Sequence, residues 1–188
     1  KRSNPARLYL LGILREVLGS NLIALDYDVK TLPRYTPAYP HPVLFDLINS
    51  NRKRYETTLL SFLKFTDRFV KISRDAVLGI ADTPRWGNGF LPGLDAVTLY
   101  SLIAQNKPKR YIEIGSGNST RFARRAIRDL SLKTLITSVD PTPRDDVDST
   151  CDFCLRKPLE EVDLSIFQGL QVGDIVFFDG SHRILTNS

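Results

Sequence analysis

The sequence is poor in the residues that most often bind transition metals. Its 188 residues include two cysteines, two histidines and no methionine. Cys151 and Cys154 form a CxxC pair, which is typical of a redox motif or of half a zinc site. A structural zinc site needs four ligands, and His41 and His182 each stand alone in the sequence. We therefore expect two reduced thiols rather than a metal or redox centre.

A long uninterrupted apolar run is also missing. Arg15 and Glu16 interrupt the most apolar early stretch, LYLLGILREVLGSNLIAL. A membrane-spanning helix needs about 20 consecutive apolar residues. We expect no membrane partner and, because no signal peptide is visible, a cytoplasmic location.

Charge is distributed unevenly along the chain, whose formal net charge is +5. Residues 1–110 contain 17 Lys and Arg against 9 Asp and Glu, and residues 111–188 contain 9 against 12. A basic half can attract nucleic acid or another anionic partner. No known nucleic-acid-binding motif accompanies this charge, so we do not expect a nucleic-acid partner.

The first part of the chain, residues 1–83, is predicted to be a helical extension or cap. Apolar residues at helical spacing predict helices over Ala6–Leu18 and about Asn51–Ser73, joined by a proline-rich connector, TLPRYTPAYPHP. The following loop, Pro84–Ala96, contains the only tryptophan, Trp86. It fits a lid over a ligand and a local core equally well.

The second part, residues 84–188, alternates strands with helices. Strands are predicted at 111–114, 135–139, 152–156 and 175–178, and helices at 94–105, 119–130 and 159–167. Four arginines on the outer face of the 119–130 helix are interpreted as solvated: Arg121, Arg124, Arg125 and Arg128. This alternation predicts an α/β fold, a doubly wound, Rossmann-like and mostly parallel sheet.

Ligand-binding signals follow three of the predicted strands. Gly115 and Gly117 come after the first strand, Asp140 after the second and Asp179 after the fourth. Ligands of doubly wound sheets bind where strands end at their carboxyl side. The glycines let a ligand touch the backbone, and a carboxylate can accept hydrogen bonds from ribose hydroxyls. We expect a nucleoside-containing ligand.

The glycine loop itself, YIEIGSGNST, indicates which nucleoside. A dinucleotide site has G-x-G-x-x-G with pyrophosphate on the next helix, but Thr120 occupies the third glycine position. Glu113, just ahead of the loop, is a poor neighbour for pyrophosphate and suits a cationic ligand. S-adenosylmethionine fits better. An NAD(P)-dependent oxidoreductase and a non-catalytic module for cofactor binding or assembly are the alternatives.

Three motifs, E-I-G-S-G, SVDP and DIVFFDGSH, resemble the first, second and fourth motifs of the class I S-adenosylmethionine-dependent methyltransferase superfamily. The resemblance covers about residues 84–183 and extends to a bacterial small-molecule branch with an Asp-Gly-x-His signature after strand four. It implies methyl transfer to a small-molecule acceptor, most often on oxygen.

The resemblance also implies roles for individual residues. Glu113 would orient the amino-acid end of the cofactor, Asp140 would hold the ribose, and Glu160 would replace an acid that meets the adenine. Asp179 would lie beside the methyl group, where acceptors and, in some relatives, a divalent metal bind. His182 would be the general base. The loop and the start of its helix would line the amino-acid end: Gly115, Ser116, Gly117, Asn118 and Ser119.

The superfamily has seven strands in the order 3-2-1-4-5-7-6, whereas only residues 179–188 follow the fourth strand here. We expect the chain to be a piece of a longer protein, a truncated domain, or else to have its sheet edge covered by a partner chain. A homo-oligomer is left open.

Overall fold

Four strands of the computed structural model, which describes residues 5–18, 33–75, 83–143 and 146–180, form one parallel sheet. Its order is β3-β2-β1-β4, and every pair is parallel. The strands are β1 (Arg110–Ile114), β2 (Leu135–Val139), β3 (Phe153–Leu155) and β4 (Ile175–Phe178).

This sheet confirms the predicted α/β, Rossmann-like fold. The strand order agrees with the order that the methyltransferase resemblance implies for the first four strands. Dinucleotide-binding domains share that order for their first strands, so the fold alone does not choose between the two ligand classes.

Helices flank the sheet and precede it. The described ones are α1 (Pro5–Leu18), α2 (Pro42–Asn49), α3 (Arg52–Ser61), α4 (Thr66–Phe69), α5 (Gly93–Asn106), α6 (Asn118–Asp129) and α7 (Ser165–Gln168). Single 3-10 turns lie at Phe62–Phe65, Asp148–Thr150 and Leu159–Glu161.

Side chains of the central strand β1 alternate between the two faces of the sheet. Tyr111 packs among residues of α5 and α6, including Tyr100 and Ala123, while Ile112 packs on the other face with Val139 and residues 155–170. Glu113 lies two residues after Tyr111, so its side chain is on the α5–α6 face. All four of Tyr111–Ile114 are buried, as expected of a central parallel strand.

The predicted helix at 159–167 is interrupted. Residues 159–161 make one 3-10 turn, and α7 begins only at Ser165. Between them, Asp163 accepts a hydrogen bond from the Ser165 amide at 2.8 Å. Such a local side-chain bond competes with helical hydrogen bonding, which accounts for the break.

Only one of the four α6 arginines is exposed, so the interpretation of a solvated face was wrong for the other three. Arg121 is buried, and Arg124 donates to the Thr150 carbonyl and to Asp152. Arg125 pairs with Asp129, and only Arg128 of the four is exposed. The connection between β2 and β3 folds back over this face, which the sequence pattern of α6 alone does not reveal.

The chain divides into two units, Lys1–Asn51 and Arg52–Ser188, whereas the sequence pattern predicts a boundary after residue 83. The first unit contains α1, as predicted, and α2, which was not predicted. Pro42 stands at the first helical position, and His41 accepts a hydrogen bond from the Leu44 amide through Nδ1. The proline was interpreted as part of an extended connector, although proline also favours a helix start.

In the second unit, the predicted 51–73 helix is three shorter pieces: α3, the 62–65 turn and α4. Phe65 and Phe69 from these pieces make edge-on contacts with Tyr100 of α5. Trp86 packs against Phe69 and Phe122. The tryptophan loop is therefore part of a core, which favours the core interpretation over a lid.

Candidate functional site

The carboxyl ends of β1, β2 and β4 lie side by side at one end of the parallel sheet. Three predicted site segments lie there, namely the 115–119 loop and helix start, Asp140 and Asp179, each directly after its strand. Backbone contacts join them: the Gly115 amide donates to the Val139 carbonyl at 2.9 Å, and the Asp179 amide donates to the Ile114 carbonyl at 2.8 Å. The structure therefore brings these predicted residues together.

Asp140 is held by backbone donors on both carboxylate oxygens. Oδ2 accepts from the Ser116 amide at 2.8 Å, and Oδ1 accepts from the Thr142 amide at 2.9 Å. Its own amide donates to the Leu155 carbonyl at 3.1 Å. Each carboxylate oxygen can accept more than one hydrogen bond. Asp140 is thus fixed in position and half-buried, with capacity left for ribose hydroxyls.

The two glycines of the loop have different roles. Gly115 has φ +84°, and a Cβ there would lie 1.9 Å from the Asp179 carbonyl oxygen. This glycine is needed for the close approach of the β1 and β4 ends. A Cβ at Gly117 would meet nothing within 4 Å. Gly117 therefore borders open space from which a ligand can reach the backbone.

Glu113 is a fully buried carboxyl group beneath the start of α6. Burial raises its pKa to about 7; nearby hydroxyls of Ser119, Thr120 and Tyr111 oppose this shift, and the charge of Asp179 adds to it. Among the described residues, none makes a hydrogen bond of good geometry to either Glu113 oxygen. The three hydroxyls lie near enough to lower the pKa of Glu113, although none is aligned for a hydrogen bond to either oxygen.

The same burial shapes how Glu113 can act. Its side chain has no exposed area, so it does not form a ligand-facing surface in this conformation. Glu113 therefore lies behind the first turn of α6 rather than on the ligand side of the loop.

The helix start itself is capped from within. Thr120 is fully buried, and its Oγ1 accepts a hydrogen bond from the Gly117 amide at 3.0 Å. Asn118 and Ser119 are also buried, and Asn118 Oδ1 has no hydrogen-bond partner among the described residues. The residue in the third glycine position thus closes the loop rather than opening it to a phosphate.

A polar network beside Asp140 was missed in the sequence. Ser138 Oγ lies 2.5 Å from Ser116 Oγ and accepts from Arg156 Nη1 at 2.9 Å. The same nitrogen donates to the Asp140 carbonyl at 3.2 Å, and Arg156 Nη2 pairs with the Asp148 carboxylate. Ser138 stands in the SVDP motif, and Arg156 follows β3. Their positions at strand ends were the available signal.

The remaining predicted site residues are less tightly placed. The Asp179 side chain is exposed at the end of β4, and Glu160 is exposed on the 159–161 turn. His182 lies outside the described residues. Within the described ranges, no group of three or more His, Cys, Asp or Glu residues could hold a metal ion. A divalent metal at Asp179 stays a prediction.

Comparison with known proteins adds no identification. No protein-family model matches the chain, and no curated protein is significantly similar to it.

None of the helices in the described ranges is long and apolar enough to cross a membrane.

Proposed function

We propose that this chain binds S-adenosylmethionine and transfers its methyl group to an oxygen of a small-molecule acceptor. The observation that carries the proposal is the 2.8 Å hydrogen bond from the Ser116 amide to Asp140 Oδ2. It joins the glycine loop to the carboxylate that follows β2 and sets the charge that a ligand meets there.

That hydrogen bond disfavours a pyrophosphate on the loop. A dinucleotide-binding loop presents free amides to phosphate oxygens. Here the Ser116 amide is bound to Asp140, and the Gly117 amide is bound to Thr120 Oγ1. A phosphate would also lie beside the Asp140 carboxylate, with Glu113 buried behind the loop. The Asp140 carboxylate favours a cationic ligand over an anionic one.

The residues present fit S-adenosylmethionine, which carries an ammonium, a sulfonium and a ribose but no phosphate. Asp140 would accept the ribose hydroxyls, and the open side of Gly117 would receive the amino-acid end. Glu113 would support the loop from behind the first turn of α6. Glu160 would meet the adenine in place of an acid after β3. The cofactor would supply an electrophilic methyl group.

Asp179 and His182 would act on the acceptor. Asp179 is at the carboxyl end of β4, next to β1 in the sheet, and would hold the acceptor beside the loop. His182, three residues later, would accept the hydroxyl proton, since an imidazole with a pKa near 6.5 can do so at neutral pH. Methyl transfer would depend mainly on holding the acceptor oxygen in line.

Ligand-observed NMR with the 188-residue chain tests the cofactor class. S-adenosylhomocysteine and NADH are added separately and then in competition. We expect saturation transfer to S-adenosylhomocysteine and none to NADH. Saturation transfer to NADH alone would contradict the proposal and favour an oxidoreductase.

Transfer itself is tested with S-adenosylmethionine labelled in its methyl group and a panel of small hydroxylated acceptors. We expect labelled product with at least one acceptor and a loss of transfer in His182→Ala. Binding of S-adenosylhomocysteine without transfer to any acceptor would favour the non-catalytic module.

A further inference from the structure

The CxxC pair lies beside the proposed site and has no part in the function described above. Cys151 is half-buried just before β3, and Cys154 is exposed within β3. In the sheet, Cys154 is the register partner of Ser138 on β2. The pair is therefore one strand away from the Ser138–Ser116 contact of the glycine loop.

Both thiols contact the same short turn. Cys151 Sγ donates to the Val147 carbonyl at 3.3 Å, and Cys154 Sγ donates to the Asp148 carbonyl at 3.9 Å. These carbonyls belong to consecutive residues, so the two sulfurs are held against one turn. Burial raises the pKa of Cys151 to about 12, and the neighbouring Cys154 thiol is the next largest cause.

The turn that holds the thiols also holds Arg156. Asp148 pairs with the Arg156 guanidinium, which donates to Ser138 Oγ and to the Asp140 carbonyl. Within the β2–β3 pairing, the Asp140 amide donates to the carbonyl of Leu155, the residue after Cys154. A movement of Cys154 toward Cys151 therefore acts on Asp140 by two routes.

We propose that Cys151 and Cys154 are a redox modification site, closed to a disulfide by a low-molecular-weight disulfide, and that closure loosens the Asp140 end of β2. Closure would bring the two sulfurs to about 2.05 Å and remove both S–H donors from the turn. The turn would then hold Asp148 less firmly against Arg156. The hydrogen bond from the Asp140 amide to the Leu155 carbonyl would also weaken.

The chemistry balances with glutathione disulfide as the oxidant. The exposed Cys154 thiolate attacks one sulfur of glutathione disulfide, forming a mixed disulfide and releasing one glutathione thiolate, which takes up a proton. Cys151 then loses its proton and attacks the Cys154 sulfur, releasing the second glutathione. Two protein thiols are oxidised by two electrons, and one glutathione disulfide is reduced to two glutathione molecules. The high pKa of Cys151 makes this second step faster as the pH rises.

The first test measures closure in the 188-residue chain. The chain is incubated with excess glutathione disulfide at pH 8, alkylated and weighed by intact mass spectrometry. We expect both thiols to be lost together with a mass decrease of two hydrogens, and Cys151→Ser to stop at one attached glutathione. A chain that keeps both thiols, or that holds glutathione on Cys154 without closing, would overturn the proposal.

The second test measures coupling to the site by hydrogen exchange of the Asp140 amide. We expect this amide to exchange about fivefold faster in the closed chain. The factor is the one expected when a hydrogen bond of ordinary strength, here from the Asp140 amide to the Leu155 carbonyl, is lost. Cys154→Ser under the same oxidant should show no change. Unchanged exchange in the closed chain would contradict the coupling.

A third measurement rests on the proposed function and separates the two proposals. S-adenosylhomocysteine should bind the closed chain about fivefold more weakly than the reduced chain. If the reduced chain does not bind it while closure and faster exchange are seen, the methyltransferase proposal fails and the redox site stands. Equal affinity for both chains would contradict the coupling.

Discussion

The Ser116 amide and the Asp140 carboxylate are joined by a 2.8 Å hydrogen bond, although 24 residues separate them in the chain. This bond links the loop after β1 to the end of β2. It also fixes a carboxylate beside the loop and occupies the Ser116 amide, which is then not free for a phosphate oxygen. Our proposal of a cationic ligand rests on this pair more than on either glycine.

The loop glycines should respond differently to alanine. At Gly115 a Cβ would lie 1.9 Å from the Asp179 carbonyl oxygen, and φ is +84°. We expect Gly115→Ala to lower the free energy of unfolding by about 3 kcal/mol or more. At Gly117 a Cβ meets nothing within 4 Å, so Gly117→Ala should lose about 1 kcal/mol, as expected for alanine at a helix N-cap.

Urea denaturation measures the loss in the free energy of unfolding for both variants. Titration with S-adenosylhomocysteine then measures ligand binding by Gly117→Ala. Gly117→Ala should stay folded yet bind S-adenosylhomocysteine at least about tenfold more weakly, because the methyl group occupies the ligand side of the loop. Equal stability losses in the two variants would show that the open space at Gly117 has been misassigned.

The buried carboxyl of Glu113 should make stability depend on pH. Its pKa is about 7 in the folded chain against an ordinary value of 4.5. Between these values the folded chain retains a proton that the unfolded chain has lost, so the contribution of Glu113 to stability is greatest below pH 4.5 and is lost as the pH rises through 7. Glu113→Gln removes this dependence.

The measurement compares the two chains by urea denaturation from pH 4 to pH 8. The stability of Glu113→Gln relative to the native chain should rise by about 2–3 kcal/mol over this range. Glu161→Gln, at an exposed position, is the matched control and should follow the native chain. A constant difference between Glu113→Gln and the native chain would contradict the buried-carboxyl account.

Asn88 should hold the tryptophan loop in place. Its Nδ2 donates to the Arg85 and Leu91 carbonyls, and its Oδ1 accepts from the Phe90 and Leu91 amides. We expect Asn88→Ala to lower the free energy of unfolding by about 2–3 kcal/mol. The Trp86 fluorescence should also shift to the red because the indole becomes more exposed to solvent.

The control for that experiment is Asn106→Ala, which removes one exposed hydrogen bond, to the Leu102 carbonyl. Asn106→Ala should lower the free energy of unfolding by less than about 1 kcal/mol and leave the Trp86 emission unchanged. A red shift in Asn88→Ala without loss of stability would favour the lid interpretation that the contacts with Phe69 and Phe122 otherwise disfavour.

The sheet could be predicted because its strands are short apolar runs that end in distinctive residues. The apolar run of β1 and the period of 3.6 in α6 are local properties of the sequence. They were enough to place Glu113, Asp140 and Asp179 near the same edge of the sheet.

Other features depend on contacts between distant segments. The 51–73 helix breaks where Phe65 and Phe69 turn toward Tyr100, and no residue in that segment is a helix breaker. The burial of Arg121 on α6 depends on how the β2–β3 connection folds. Tertiary packing decided these cases against local pattern.

Within the site, the residue types were visible but their partners were not. Gly115 was predicted to border a ligand, yet its missing Cβ mainly accommodates the Asp179 carbonyl. The Arg156–Ser138 contact joins residues 18 apart in the chain. These residues meet because β2 and β3 are neighbours in the folded sheet. Their local sequences do not specify that pairing.

The central claim is tested most directly by calorimetric titration of S-adenosylhomocysteine into the native chain, Asp140→Ala and Asp163→Ala. Asp163 is an exposed aspartate that accepts a backbone hydrogen bond from Ser165, so it matches Asp140 in residue type but not in position. We predict that the native chain and Asp163→Ala bind with the same affinity. Asp140→Ala should bind at least about tenfold more weakly, since charge-assisted hydrogen bonds contribute about 1.5–3 kcal/mol each. No binding by the native chain, or equal binding by Asp140→Ala, would contradict the account.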